Sequence, residues 1–290
     1  MSPGTNAAGT TTSGNTADGE TTEDRTTEDR TTAAAWAGRP LGERTVGYTE
    51  TDAILYALAV GAPATDLELV FEDRLRVLPS FGLTLAQWAP DVLAEQGAFD
   101  NRAVHGSQEL TVFKPLPRSG QFTLRARVGE VWDKGSAAVF NVLAECDYFA
   151  ATWSIFAPGF GGFGGDRGPG RTAAPAGVPL ASTGFSSSPN QAALYRLLGD
   201  RHPIHIDPQA AQGIGQDRPI LHGLASLAGA TLPLARLAGA HPADLVRLAG
   251  RFAGVVFPGD DLTVRAWDGG RFEALAGERP VISDGLAVFG

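Results

Sequence analysis

The stretch Leu221-His222-Gly223-Leu224-Ala225-Ser226-Leu227-Ala228-Gly229-Ala230 is apolar on nearly every side. A helix lying on a surface keeps one polar face, so this pattern predicts a helix buried all round, beginning at Gly223. The segments around it have a different period. Phe122-Thr-Leu-Arg-Ala126 and Leu262-Thr-Val-Arg-Ala266 alternate apolar and polar residues, as half-buried antiparallel strands do. Gln108 to Phe113 and Ala137 to Ala144 read as further strands. The fold class expected is α+β, with two antiparallel sheets each wrapped around a mainly buried helix.

The pattern occurs twice. Leu-Tyr-x-Leu stands at 55–58 and again at 194–197, an offset close to that between the two alternating segments. Two matches at one spacing suggest a duplicated unit. Each copy opens with a capped helix. Thr49 and Asp52 have capping-box spacing before Ala53–Gly61. In the second copy Ser188 is the expected N-cap, Pro189 the first helical residue and Gln191 the third, with Gly199 as the stop.

Residues 1–35 are rich in Thr, Gly, Ala and charge, and hold a tandem Thr-Thr-Glu-Asp-Arg at 21–25 and 26–30. They offer little to bury and read as a disordered tail. A second break, 158–181, is rich in Gly and Pro and reads as a linker. It separates a unit at 36–157 from a unit at 182–290. Gly159, Gly161 and Gly164 match G-x-G-x-x-G, but a dinucleotide site needs a helix to begin there. Gly168-Pro169-Gly170 follows instead, so that reading is rejected.

The 290 residues are 43% hydrophobic, enough for a sizeable core. A net charge of −9 argues against nucleic acid as a partner. No apolar run has the length of a membrane span, and no secretory signal is visible. A single cysteine, Cys146, rules out an internal disulfide framework and a thiolate metal cluster and suits a cytoplasmic setting.

The densest set of reactive side chains is Gly199-Asp200-Arg201-His202-Pro203-Ile204-His205-Ile206-Asp207-Pro208. Asp200 follows the helix stop. Pro203 prevents helix continuation and biases His202 towards an extended shape. Asp207-Pro208 looks like the N-cap and first residue of another helix. Asp200 and His205 are thereby expected on a short, pinned loop where they can converge on one water. Adding water to a conjugated thioester needs a base for the water, an acid for the α-carbon and a donor for the thioester oxygen. Asp200 and His205 suit the first two roles. The N–H of Gly223 at a helix start suits the third. The plain alternative is that Asp200 and Asp207 only cap helices while His205 packs. A metal held by His202, His205 and Asp207 is disfavoured because Pro203 spoils their spacing.

The segment from Tyr195 to Ala211 resembles the signature of the MaoC-like dehydratases and 2-enoyl-CoA hydratase 2. The resemblance extends over about Val46 to Gly290. It includes Val104-His-Gly-Ser-Gln108, Lys114-Pro-Leu-Pro117, Asp133-Lys-Gly135, Gly161–Gly165, Ile220-Leu-His-Gly223, Arg251-Phe252 and Phe257-Pro-Gly-Asp260. It implies a double hot-dog fold and reversible hydration of a trans-2-enoyl-CoA to the (R)-3-hydroxyacyl-CoA, within fatty acid or polyketide metabolism. It implies no metal and no cofactor beyond the coenzyme A thioester that is the substrate. Asp200 and His205 match the family's catalytic pair, and Gly223 matches the glycine that donates to the thioester oxygen. His105, Gly106, Lys134 and Phe252 match positions contacting the CoA thioester. His202 stands where the family usually has Asn, beside the reacting water, and Trp153 stands where Arg is common.

The expectation is an enoyl thioester hydratase or dehydratase whose second unit is catalytic and whose first shapes the acyl pocket. Its partner is an acyl-CoA or acyl-carrier thioester, with a homodimer left open. The rivals are a non-catalytic acyl-CoA-binding protein and a thioesterase on the same fold.

Overall fold

The computed structural model describes residues 33–170, 172, 175 and 177–290. Ten strands form one antiparallel sheet: β1 (Pro40–Tyr48), β2 (Val104–Val112), β3 (Gly120–Asp133), β4 (Ala137–Glu145), β5 (Phe149–Pro158), β6 (Ala181–Ser186), β7 (Leu245–Phe252), β8 (Asp261–Ala266), β9 (Arg271–Ala276) and β10 (Arg279–Phe289). Their order is β1-β3-β4-β5-β2-β7-β10-β9-β8-β6. Read inward from either edge, the order is first, third, fourth, fifth, second. The duplication legible in the sequence is therefore a duplication of topology, and the double hot-dog fold is present, with the two expected sheets joined into one by the β2–β7 pairing. The halves join at β2–β7, with Ser107 opposite Arg251 and Thr111 opposite Arg247.

The repeated motifs occupy equivalent places. Phe122 in β3 pairs with Val46 in β1, and Leu262 in β8 pairs with Phe185 in β6. Tyr56 and Tyr195, the tyrosines of the two Leu-Tyr-x-Leu motifs, are both buried, with ring centroids 6.0 Å apart.

The helices are α1 (Glu50–Ala59), α2 (Leu67–Val70), α3 (Phe81–Leu85), α4 (Trp88–Glu95), α5 (Gln191–Tyr195), α6 (Pro208–Gly213) and α7 (Gly223–Leu237). Helix α7 starts at Gly223 as expected, and Leu224 to Ala235 are all buried. It crosses close to the first unit: a Cβ on Gly229 would lie 3.0 Å from the Val60 carbonyl. The second buried helix differs from expectation. In the first unit its place is taken by the short α3 and α4. Gly82 in α3 lies under the Phe149 ring, where a Cβ would sit 2.7 Å from a ring carbon.

The Thr49–Asp52 capping box is formed in both directions. The second box closes one turn early. The Ser188 N–H donates to Gln191 Oε1 at 2.9 Å and Ser188 Oγ accepts from the Asn190 N–H, but α5 begins only at Gln191, so Ser188 caps a turn and not the helix. Most of the tail reading, residues 1–32, lies outside the described residues. Residues 33–35 are corrected: the chain is placed from Ala33, which is buried together with Trp36.

Between β5 and β6 no described residue is helical. Of the glycines in the G-x-G-x-x-G match, Gly164 instead helps to hold a carboxylate of the chain itself, together with its neighbour Gly162. The N–H groups of Gly162 and Gly164 each donate to Asp133 at 2.7 Å, joined by Gly135 at 2.8 Å. The Gly162 N–H foremost holds the Asp133 carboxyl below the usual range. Among the described residues, no helix is long and apolar enough to cross a membrane.

Candidate active site

The loop from Gly199 to Pro208 is pinned by short side-chain-to-backbone bonds. Asp200 Oδ1 accepts from the His202 N–H at 3.0 Å. His202 has the extended backbone that a following proline favours, and Pro203–His205 form a single 3-10 turn. Asp207 caps α6, its Oδ1 accepting from the Gln209 N–H at 2.9 Å, with Pro208 at the first helical position. Gly199 is held by contact and not by a left-handed stop. Its φ of 173° lies outside the left-handed region, and a Cβ there would lie 3.0 Å from the Thr84 methyl and 3.2 Å from the Thr84 carbonyl.

His205 points into the protein and is buried. Its Nδ1 lies 2.9 Å from the Ile220 carbonyl, which can only accept. The neutral ring therefore carries its hydrogen on Nδ1 and presents the Nε2 lone pair. That nitrogen stands 3.7 Å from Asp200 Oδ2, too far for a direct hydrogen bond. Burial holds the His205 pKa below the ordinary histidine value, while the Asp200 carboxylate pulls the other way. Two acceptors thus lie side by side, and a molecule with two hydrogens to give can bridge them from one flank.

His222, given no role in the sequence reading, completes the cluster. Its ring stacks on His205 with centroids 3.6 Å apart and planes 24° from parallel. Its Nε2 lies 3.1 Å from the backbone carbonyl of Asp200. The Tyr195 ring also packs on it, tilted, with centroids 4.7 Å apart. The available signal was His222's place within an apolar run directly before a buried helix, which forces the imidazole inside.

Gly223 follows His222 and opens α7, so its N–H has no acceptor within the helix. Phe252 packs on it: a Cβ at 223 would meet the Phe252 ring at 2.9 Å. His105 contacts Phe252 in turn, with centroids 4.7 Å apart, and its Nε2 lies 3.0 Å from the Ser107 carbonyl. Burial pushes His105 down to about 4. His202 is not in the buried cluster. Its ring is exposed, 6.5 Å from that of His205, and its Nδ1 accepts a long bond of 3.5 Å from the Ile204 N–H.

A groove of about 930 Å³ follows the β2–β7 seam and ends at His105 and Phe252. Gly106, Lys134, Arg247 and Arg251 line it. Asp200 and His205 are not among its walls, but Phe252, which is, packs on Gly223. Lys134 is already engaged, its Nζ donating to the carbonyl oxygens of Arg167 and Pro169.

Asp200, His205 and His222 bring potential ligand atoms within 4.8 Å of one another. An ion bound by two imidazoles lies near the plane of each ring. Planes this close to parallel and 3.6 Å apart do not meet near the nitrogens, so the stack is poorly shaped for a shared metal.

Two family models divide the chain: the MFE-2 hydratase 2 N-terminal domain matches residues 47–153, and the MaoC like domain matches 171–283. An enoyl-CoA hydratase of Mycobacterium tuberculosis is 39% identical over 249 residues, 77% of this chain and 85% of that protein. A 3-hydroxyacyl-thioester dehydratase of the same organism is 35% identical, covering 76% of this chain and 82% of the relative. The crystal structure of a MaoC-like dehydratase from Phytophthora capsici superimposes with a TM-score of 0.78 at 25% identity, covering 89% of this chain and 97% of that one. The chain belongs to the MaoC-like, enoyl-CoA hydratase 2 family.

Proposed function

We propose that this protein is a hydro-lyase that adds water reversibly across the double bond of a trans-2-enoyl-CoA, giving the (R)-3-hydroxyacyl-CoA. The observation that carries this reading is the 3.7 Å gap between Asp200 Oδ2 and His205 Nε2, beside the head of a buried helix. A water placed there is held through both hydrogens. As its oxygen attacks C3, the Asp200 carboxylate takes one proton, and the charge moves through the thioester to its carbonyl oxygen. The N–H of Gly223, aided by the α7 dipole, stabilises that oxygen. Return of a proton from the Asp200–His205 pair to C2 completes the addition and restores both groups.

The groove supports a CoA substrate. It has the size of a small-molecule site, its cations suit phosphates, and it ends at Phe252 against Gly223. Contact with phosphate would require Lys134 to leave the Arg167 and Pro169 carbonyls. The reading needs no metal or further cofactor, and it includes a cytoplasmic setting.

Crotonyl-CoA hydration, followed by loss of absorbance of the conjugated thioester, tests it. Asp200→Asn keeps the shape but removes the base, and should lower turnover on the order of a hundredfold or more. Near-normal turnover in that variant would refute the assignment. Release of free thiol would favour a thioesterase, and binding without turnover a carrier of acyl-CoA.

A further inference from the structure

We propose that His222 is a positioning residue, holding Asp200 and His205 in the one arrangement that can share a water. The proposal rests on the catalytic reading of that pair.

His222 touches both members of the pair by different means. Its Nε2 lies 3.1 Å from the Asp200 backbone carbonyl, which only accepts, so Nε2 carries the hydrogen. This bond fixes the main chain of Asp200, leaving the carboxylate unspent. The ring face fixes His205 by stacking at 3.6 Å, leaving the His205 nitrogens unspent. His205 Nδ1 is separately tied to the Ile220 carbonyl, two residues before His222. One side chain at the head of α7 therefore sets the depth of the His205 ring and the height of the Asp200 backbone together.

The protonation state suits the task. His222 is buried, and burial, with His205 beside it, holds its pKa below the ordinary histidine value. A neutral ring stacks on neutral His205 without charge repulsion. With the hydrogen on Nε2, Nδ1 keeps a lone pair, and that atom has no hydrogen-bond partner. A buried acceptor without a partner is unfavourable. Phenylalanine would fill the same space without that cost but could not hold Asp200. Leucine could neither hold Asp200 nor stack on His205.

The two contacts can be separated. His222→Phe keeps the ring and removes the donor. His222→Gln places an amide N–H near the position of Nε2 and removes the ring. Each should lower kcat for crotonyl-CoA by about tenfold to a hundredfold, the range expected for a small misplacement of reacting groups, with KM little changed. His222→Ala should lose at least as much as the worse of the two. A residue that served stability alone would lower Tm and leave kcat per folded molecule at the parent value.

The chain has five histidines, so the imidazole nitrogens of the unaltered protein can be followed by NMR. Protonation of His222 at Nε2, and a ring-current shift on His205 that His222→Gln removes, are the expected signatures. Protonation at Nδ1 instead would overturn the proposal even if every variant failed to fold. Folded Phe and Gln variants turning over at the parent rate would overturn it as well. A parent protein that does not hydrate enoyl-CoA would instead sink the functional reading beneath it.

Discussion

Gly199 of the second unit rests so closely against Thr84 of the first that a side chain there would need its neighbour to give way by a few tenths of an ångström. A Cβ at 199 would sit 3.0 Å from the Thr84 methyl and 3.2 Å from its carbonyl oxygen. The residue after Gly199 is Asp200, so the first unit sets where the proposed base stands. Gly199→Ala should push the loop away from α3 and lower kcat by about tenfold or more, since small displacements of reacting groups cost heavily. Thr84→Ser removes the methyl but not the carbonyl, and should restore only part of the rate. Steady-state kinetics on the single and double variants checks this, and full activity in Gly199→Ala would contradict it.

Gly223 and Phe252 make a second contact that permits no Cβ. At 2.9 Å from the ring, the added methyl of Gly223→Ala must displace either Phe252 or the head of α7. Overpacking of this kind costs about 1–3 kcal/mol. Phe252→Ala should relieve the strain, so the double variant should be more stable than the sum of the two single losses. Its activity should not recover, because the wall of the groove is then gone. Additive stability losses in denaturant titrations would count against the packing account.

Much of this was legible because its causes are local. The apolar ring of residues from Leu221 to Ala230 dictated a buried helix. Alternation in Phe122–Ala126 and Leu262–Ala266 dictated strands, and Pro203, Asp207 and Pro208 dictated the pinned loop. The misreadings have tertiary causes. The split of the first unit's helix into α3 and α4 is seen with Gly82 packed under Phe149, which belongs to a distant strand. Gly199 looked like a helix stop, whereas its constraint is Thr84. The glycines from 159 to 164 are conspicuous in the sequence, but nothing near them announced that Gly162 and Gly164 hold Asp133. His222 went unassigned because its partners, the Asp200 carbonyl and the His205 ring, come from another loop.

The half-buried His105 and the buried His205 and His222 should make the fold acid-sensitive. Burial lowers His105 to about 4, against about 6.5 for a histidine in an unfolded chain. Between those values the unfolded chain binds a proton that the folded protein does not, so stability falls as pH falls. The stabilisation is fully present above the unfolded value and is lost progressively towards the folded one. His205 and His222 are shifted in the same direction. Calorimetry should show Tm dropping as pH is lowered from about 7 to about 5, above the range where ordinary carboxylates protonate. His105→Gln should flatten the slope, and an unchanged slope in that variant would remove His105 from the explanation.

His202 gives the sharpest test of whether the side chain that caps the turn next to the pair matters. Its Nδ1 accepts the Ile204 N–H at 3.5 Å, and its own N–H holds Asp200 Oδ1. Asparagine can accept the same bond through its side-chain oxygen, whereas alanine offers no acceptor and frees the turn. His202→Asn should therefore keep the loop and its turnover, while His202→Ala should lower kcat/KM by about tenfold, since small displacements of reacting groups cost heavily. Steady-state kinetics of both variants on crotonyl-CoA decides the matter. Parent kcat/KM in His202→Ala would show that the cap of the Pro203–His205 turn does not place the pair, and the Asp200–His205 assignment would stand unaltered.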